Sequence, residues 1–371
     1  METIRLFLQL VNPTLLQVHF DSLYKTISEQ SNDKIDDFTH DACHDLMRVM
    51  LKYQDYGSIE KIYKFASSAF THKDHKKQKK AYKLLEEICV SESEASKTFL
   101  ESNLEDIQKT LLDSLSKASP PSQASRIKCL INIIKNLEKG TYINISQMLG
   151  NAYIYGLFDE FFFKNFIIFI YFDICTYIFF FCAGNANQVE FLYKIVPEAI
   201  LCTKAANEKA RSGSYTLLVV IGETLQKWRS PGDDVDSVIK DYMKVVLAGL
   251  AGGPTMIHCT LKSITKLYYE FQDIFPEDLT NLLIENVCLL LTSHSREIVN
   301  PSVSFLHVFI TTSPVIGSAQ FCEKIVSSLC KMTEDCKRHF RLKTRYLFDR
   351  LVRKFGYDVV KGIIPKGITY F

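Results

Sequence analysis

The sequence predicts an all-α protein built as a solenoid of helix pairs, and three observations predict it. Glycine (15) and proline (10) are scarce among 371 residues, so few positions interrupt a helix. Apolar residues recur at i, i+3, i+4 and i+7, the mark of a helix with one buried face. The helices then recur in pairs. Second helices are expected to start near Arg126, Arg211, Met256, Arg296 and Arg338, and the last four of these starts are 45, 40 and 42 residues apart. That spacing is the period of HEAT and armadillo repeats, in which helices pack into one stacking unit.

Individual elements follow the same logic. In SRIKCLINIIKNL (125–137) the stripe is Ile127, Leu130, Ile131, Ile134 and Leu137. In 336–355 it is Phe340, Leu347, Phe348, Leu351, Val352 and Phe355. Breaks are expected at Ser230-Pro231-Gly232, Gly252-Gly253-Pro254, Thr292-Ser293-His294 and Thr311 to Pro314, which mix helix-stopping and N-cap residues. No stretch alternates with period two for long enough to require a strand.

One interval misfits. Arg126 to Arg211 spans 85 residues, and removing Gly140–Gly184 restores a spacing of 40. That stretch lacks helix-pair pattern and caps, and it holds the Phe-rich run EFFFKNFIIFIYFDICTYIFFFCAG (160–184). The chain therefore divides into repeats over 1–139, an insert over 140–184, and repeats over 185–371 ending in basic helices. A membrane span is one reading of the run. Its apolar core, Phe166–Cys182, is interrupted by Asp173, at a cost of about 2.5–3.5 kcal/mol on insertion scales. A buried strand or helix is another, though ten Phe between 158 and 181 leave few small residues to pack against. Translated intron explains more: IFFFCAG can be written as a polypyrimidine tract with an AG acceptor, and Lys139-Gly140-Thr141 as a GT donor.

Composition bounds the rest. Hydrophobic residues make 47% and charged residues 23%, with a net charge of +2. The charge is unevenly spread. From Lys331 to Phe371 eleven Lys/Arg face four acids, so an anionic partner is expected at that end. Eleven dispersed cysteines with no C-x-x-C read as reduced, buried thiols of the cytosol or nucleus. The start, METIRLFLQLVNPTLL, does not read as a signal peptide.

Candidate chemistry is sparse. His40, Cys43 and His44 share a helical face, as do Cys330, Cys336 and His339, yet neither set offers a clear fourth zinc ligand. No phosphate-cradling glycine motif occurs, and Gly249-Leu-Ala-Gly252-Gly253-Pro254 reads as a repeat turn. Glu86-Glu87 reads as a solvated pair beside an apolar face. The expectation is no enzyme, no cofactor, no metal and no small-molecule substrate. The basic run KDHKKQKKAYK (73–83) opens a helix and reads first as solvated surface. KRHFRLKTRYLFDRLVRKFG (337–356) is stronger. Arg338, Arg341 and Arg345 lie to one side of its apolar stripe and Lys343, Arg350 and Lys354 to the other, with Lys337 and Arg353 completing the set. Exposed positive charge of this kind suits phosphate backbones or an acidic protein, and Phe340, Tyr346 and Phe355 are candidates to stack on bases, with most of them expected in the core.

KKAYKLLEEIC (79–89), LEDIQKTLLDSLSKASPPSQASRIKCLINIIKNL (104–137), VPEAILCTKAANEKARSGSYTLLVVIGETL (196–225), LLIENVCLLLTSHSREIV (282–299), the 337–356 segment and KGIIP (361–365) resemble the ribosomal RNA-processing protein 12-like family. The resemblance runs from about residue 70 to 365 outside 140–184, and implies a fragment of the later part of a much longer HEAT/armadillo protein. It implies a nuclear and nucleolar assembly factor. Its expected partners are pre-rRNA and the small-subunit pre-ribosomal particle, and it would support processing and subunit export. It also implies links to Ran and nucleoporins, so a karyopherin-like adaptor is the alternative, with a membrane-anchored helical protein third. Amplifying the mature transcript across codons 130–200 is expected to give a product short by about 45 codons, close to one repeat period. A full-length product would show that the Phe-rich segment is made.

Overall fold

The computed structural model describes residues 2–28, 37–137, 188–228 and 235–365, and all regular structure in them is helical. A lead helix α1 (Glu2–Leu8) is followed by α2 (Pro13–Ser28) with α3 (Asp37–Met50), then α4 (Tyr56–Ser68) with α5 (His75–Val90). A split first helix, α6 (Glu94–Ser102) and α7 (Leu104–Asp113), goes with α8 (Gln123–Asn136). Next come α9 (Gln188–Cys202) and α10 (Glu208–Lys227), α11 (Val235–Leu247) and α12 (Pro254–Phe271), α13 (Glu277–Leu290) and α14 (Arg296–Thr312). Short helices α15 (Val315–Ala319), α16 (Cys322–Cys330) and α17 (Glu334–His339) lead into α18 (Arg341–Phe355), and α19 (Tyr357–Ile363) follows.

The fold is therefore the predicted α-solenoid architecture, with second helices starting at Glu208, Pro254, Arg296 and Arg341, 46, 42 and 45 residues apart. Contacts divide the chain into two compact units: Met1–Glu138 with Ala205–Leu217, and Lys139–Lys204 with Leu218–Phe371. The Phe-rich insert and the break at 230–232 lie outside the described residues.

Local chemistry sets the helix ends. Asp55, Asp74, Ser93 and Thr333 each accept a hydrogen bond from a backbone N–H in the first turn of α4, α5, α6 and α17. Such caps satisfy donors that the helix itself cannot. Pro254 opens α12 directly after Gly253, where its missing N–H costs nothing. The predicted start at Arg338 is displaced. Thr333 caps the short α17, Phe340 leaves helical geometry at φ −100°, ψ 18°, and the long helix begins at Arg341. The predicted stripes are buried at Ile127, Leu130, Ile134, Leu137, Phe340, Leu347, Phe348 and Leu351. Ile131, Val352 and Phe355 are half-buried, and Ile133 and Thr344 take core positions.

Within each unit, polar bonds join helices one repeat apart. In the first unit Gln78, 1% exposed, uses its whole amide. Its Nε2 donates to the carbonyls of Phe70 (2.7 Å) and Lys117 (2.8 Å), and its Oε1 accepts from Ser119 N (2.7 Å) and Ser122 Oγ (2.9 Å). The Tyr82 hydroxyl donates to Ser114 while its ring stacks on Phe70 at 4.4 Å. In the second unit Tyr268 meets Phe275, Phe305 and Phe309 at 5.1, 5.7 and 5.8 Å, and its hydroxyl lies 2.8 Å from Ser313 Oγ.

Pro301 sits inside α14 and has no N–H, so the Glu297 carbonyl four residues earlier loses its helical donor. His258 on α12 supplies the replacement, its Nδ1 lying 2.9 Å from that oxygen. A carbonyl only accepts, so Nδ1 carries the proton. The Glu297 carboxylate meanwhile pairs with Lys204 and accepts from Thr255 Oγ1 at 3.2 Å. One residue thus ties the turn after α9 to α12 and α14. His258→Ala is expected to lower the stability of the protein by about 1–2 kcal/mol in urea unfolding. In a Pro301→Ala background, which restores the helical donor, the same change should cost only a few tenths of a kcal/mol.

Candidate nucleic-acid interface

Helix α18 carries the strongest charge pattern, and its packing decides which of its cations are available. Thr344, Leu347, Phe348 and Leu351 form its buried face, with the Thr344 hydroxyl donating to the Phe340 carbonyl at 3.0 Å. At 100° per residue, Arg341 and Arg345 fall on one shoulder of the helix. Lys343, Arg350 and Lys354 fall on the other, and Leu342, Tyr346, Asp349 and Arg353 form the crest between them.

The two shoulders have different fates. The second lies against α14. Lys343 Nζ donates to Asn300 Oδ1, 43 residues away. Lys354 Nζ donates to the carbonyls of Ile310 (2.7 Å) and Ser313, closing the C-terminal end of α14. Burial lowers the Lys354 pKa. Arg350 lies near His307, whose pKa is lowered by burial first and by that guanidinium second. Lys337 is bound to Glu334 at 2.9 Å. Among the described residues Arg338, Arg341, Arg345, Arg350 and Arg353 are exposed and make no hydrogen bond or ion pair. The eight sequence-predicted residues therefore separate into five exposed arginines and three lysines bound within the protein.

Arginine supplies a planar fork of donors that matches phosphate or carboxylate two bonds at a time, so the residues left available are the better suited to anions. Of the nearby acids, Glu334 is engaged by Lys337 and Asp335 by Arg296, whereas Asp349 on the crest makes no hydrogen bond or ion pair among the described residues. The Asp335 carboxyl is held low chiefly by its hydrogen bonds from Arg296, and Arg338 adds only the last contribution.

The other candidates resolve less usefully. Among the described residues no three His, Cys, Asp or Glu side chains stand where they could hold a metal ion. Cys43 and His44 are buried, with His44 5.7 Å from the Phe65 ring. Cys336 is buried with its sulfur toward Ser293, while His339 is exposed against Phe340. The nine described cysteines are free and buried. Glu86 pairs with Lys128 at 2.9 Å and Glu87 with Arg48 at 3.7 Å, so both serve neighbouring helices. Gly249 lies where a Cβ would collide with Thr260 Oγ1, a packing role for the glycine turn. The run at 73–83 opens α5 behind the Asp74 cap. Lys73, Lys76, Lys77 and Lys79 are exposed, Lys80 pairs with Asp41 and Asp45, and burial lowers the Lys83 pKa, with Arg48 next. No helix among the described residues is long and apolar enough to cross a membrane.

A stack of helix pairs with an exposed, arginine-lined helix defines an α-solenoid repeat protein, a class that works through its surface. No protein-family model matches the chain. Its similarity lies with individual proteins. RRP12-like protein of Homo sapiens is 31% identical over 367 residues, covering 99% of this chain and 24% of that protein. RRP12-like protein of Gallus gallus is 28% identical over 365 residues, covering 98% and 24%. Ribosomal RNA-processing protein 12 of Saccharomyces cerevisiae is 22% identical over 335 residues, covering 87% and 23%. The chain is homologous over nearly its whole length to the RRP12-like family, and it spans about a quarter of the length of these relatives.

The division of α18 can be checked by unfolding. Lys354→Ala removes two hydrogen bonds to part-buried carbonyls and is expected to cost about 1–2 kcal/mol. Arg353→Ala, which touches nothing, should change stability by less than about 0.5 kcal/mol.

Proposed function

We propose that this chain is a non-catalytic scaffold segment in ribosome biogenesis that binds pre-rRNA within small-subunit pre-ribosomes. It would act in the nucleus and nucleolus, supporting rRNA processing and subunit export. Homology to proteins named for ribosomal RNA processing supports the setting. The observation that carries the contact is the set of five exposed arginines, Arg338, Arg341, Arg345, Arg350 and Arg353, that no protein group satisfies among the described residues. Unmatched cations on a folded surface repel one another, and a phosphate backbone relieves that repulsion while releasing its own counterions. Helix α14 fixes one side of the arginine helix through Lys343 and Lys354.

Changing the five arginines to glutamine is expected to weaken RNA binding and to flatten its salt dependence. For single-stranded RNA, the slope of log K against log salt should fall by about 0.7 for each arginine that meets a phosphate. Association with pre-ribosomal particles should fall in parallel. Unchanged association and unchanged slope would remove α18 as the interface. Binding that survives nuclease and high salt would favour a karyopherin-like adaptor that takes Ran, nucleoporins or other protein cargo.

A further inference from the structure

The crest of α18 is not only basic. Leu342 is 73% exposed and Tyr346 is 66% exposed, one helical turn apart. Successive residues rise about 1.5 Å, so the two side chains stand about 6 Å apart along the axis. Arg341 and Arg345 flank them on one side, Arg350 lies on the other, and Asp349 and Arg353 continue the crest, so that four arginines outnumber the one acid there. Neighbouring aromatic rings are otherwise committed. Phe340 is 7% exposed, and Phe355 is half-buried with Lys354 over its ring at 5.9 Å. Tyr346 makes no ring contact or hydrogen bond among the described residues.

Holding phosphates requires no apolar crest, so Leu342 and Tyr346 need another explanation. An exposed ring between cations is the arrangement that stacks unpaired bases, because every base has a π-face and the adjoining arginines hold the backbone. In a duplex those faces are already covered by neighbouring bases, and a protruding ring would meet sugar and phosphate instead. An acidic peptide with apolar anchors is less well served. Such peptides seat their anchors in a groove, whereas Leu342 and Tyr346 stand outward on an exposed helix crest. We propose that α18 reads single-stranded RNA, with the Tyr346 ring stacked on an unpaired base, Leu342 covering its edge, and the flanking arginines on the adjacent phosphates. This inference rests on the RNA reading given above and narrows it to unpaired segments.

The test uses the whole chain, an unstructured oligouridine of about 16 nucleotides and an RNA duplex of matched length, read by fluorescence anisotropy. Tyr346→Ala is expected to weaken oligouridine binding about tenfold, or about 1.4 kcal/mol, while Tyr346→Phe stays within about twofold of the parent. Duplex binding should change by less than about twofold in both variants, and the salt slope should hold, since no charge is removed. Circular dichroism should show both variants folded, because the side chain is largely exposed. The inference is overturned if Tyr346→Ala leaves oligouridine binding unchanged or weakens duplex binding equally. It is also overturned if a polyglutamate peptide outcompetes oligouridine in a Tyr346-dependent way. The five-arginine variant separates the two levels. Loss of RNA binding there with no effect of Tyr346→Ala removes stacking and keeps the RNA reading. RNA binding that is indifferent to the arginines removes both.

Discussion

Within each compact unit of this protein, helix pairs bury their apolar faces against the next pair. That constraint is visible in the bonds themselves. Lys240 reaches Asp278 and Lys324 reaches Glu285 across 38 and 39 positions; Lys128 reaches Glu86 across 42 and Tyr268 reaches Ser313 across 45. Sequence separations near one repeat length are what nearest-neighbour stacking produces. The exposed ion pairs in this series contribute little each, within about 1 kcal/mol. Stability comes from the apolar faces, such as Leu261, Ile264 and Leu267 on α12, all fully buried.

The buried polar bonds set register rather than bulk stability. Gln78 satisfies two carbonyls and two donors at once, which holds the turn before α8 at one position relative to α5. His258 answers a defect that Pro301 makes in α14. Each is a pair of errors that cancel only in one alignment of neighbouring helices, since a shift of one residue would leave buried polar groups unpaired.

The same stacking divides the charge on α18. The shoulder that meets α14 gives Lys343 to Asn300 and Lys354 to the carbonyls at the end of that helix. Lysine suits this task, since its point charge sits on a flexible stem that can reach a helix C-terminus. The arginines stay outside, where a planar fork gains most from phosphate. A single amphipathic helix thereby seals its neighbour with its lysines and leaves its arginines exposed.

Helix content, pairing, repeat length and most core positions were legible in the sequence. They depend on the 3.6-residue period and on capping residues, both of which act within a few positions of chain. The stripe through Leu347, Phe348 and Leu351 and the turn at Gly252-Gly253-Pro254 were readable for that reason. A local misreading came from Phe340, whose apolar character fits the stripe while its backbone interrupts the helix. The basic character of 337–356 was equally plain, but not which cations remain free. Lys354 and Arg353 are adjacent and look alike as sequence. Only the fold places carbonyl acceptors beside one and open solvent beside the other, because those acceptors lie 41 and 44 residues away on a different helix pair.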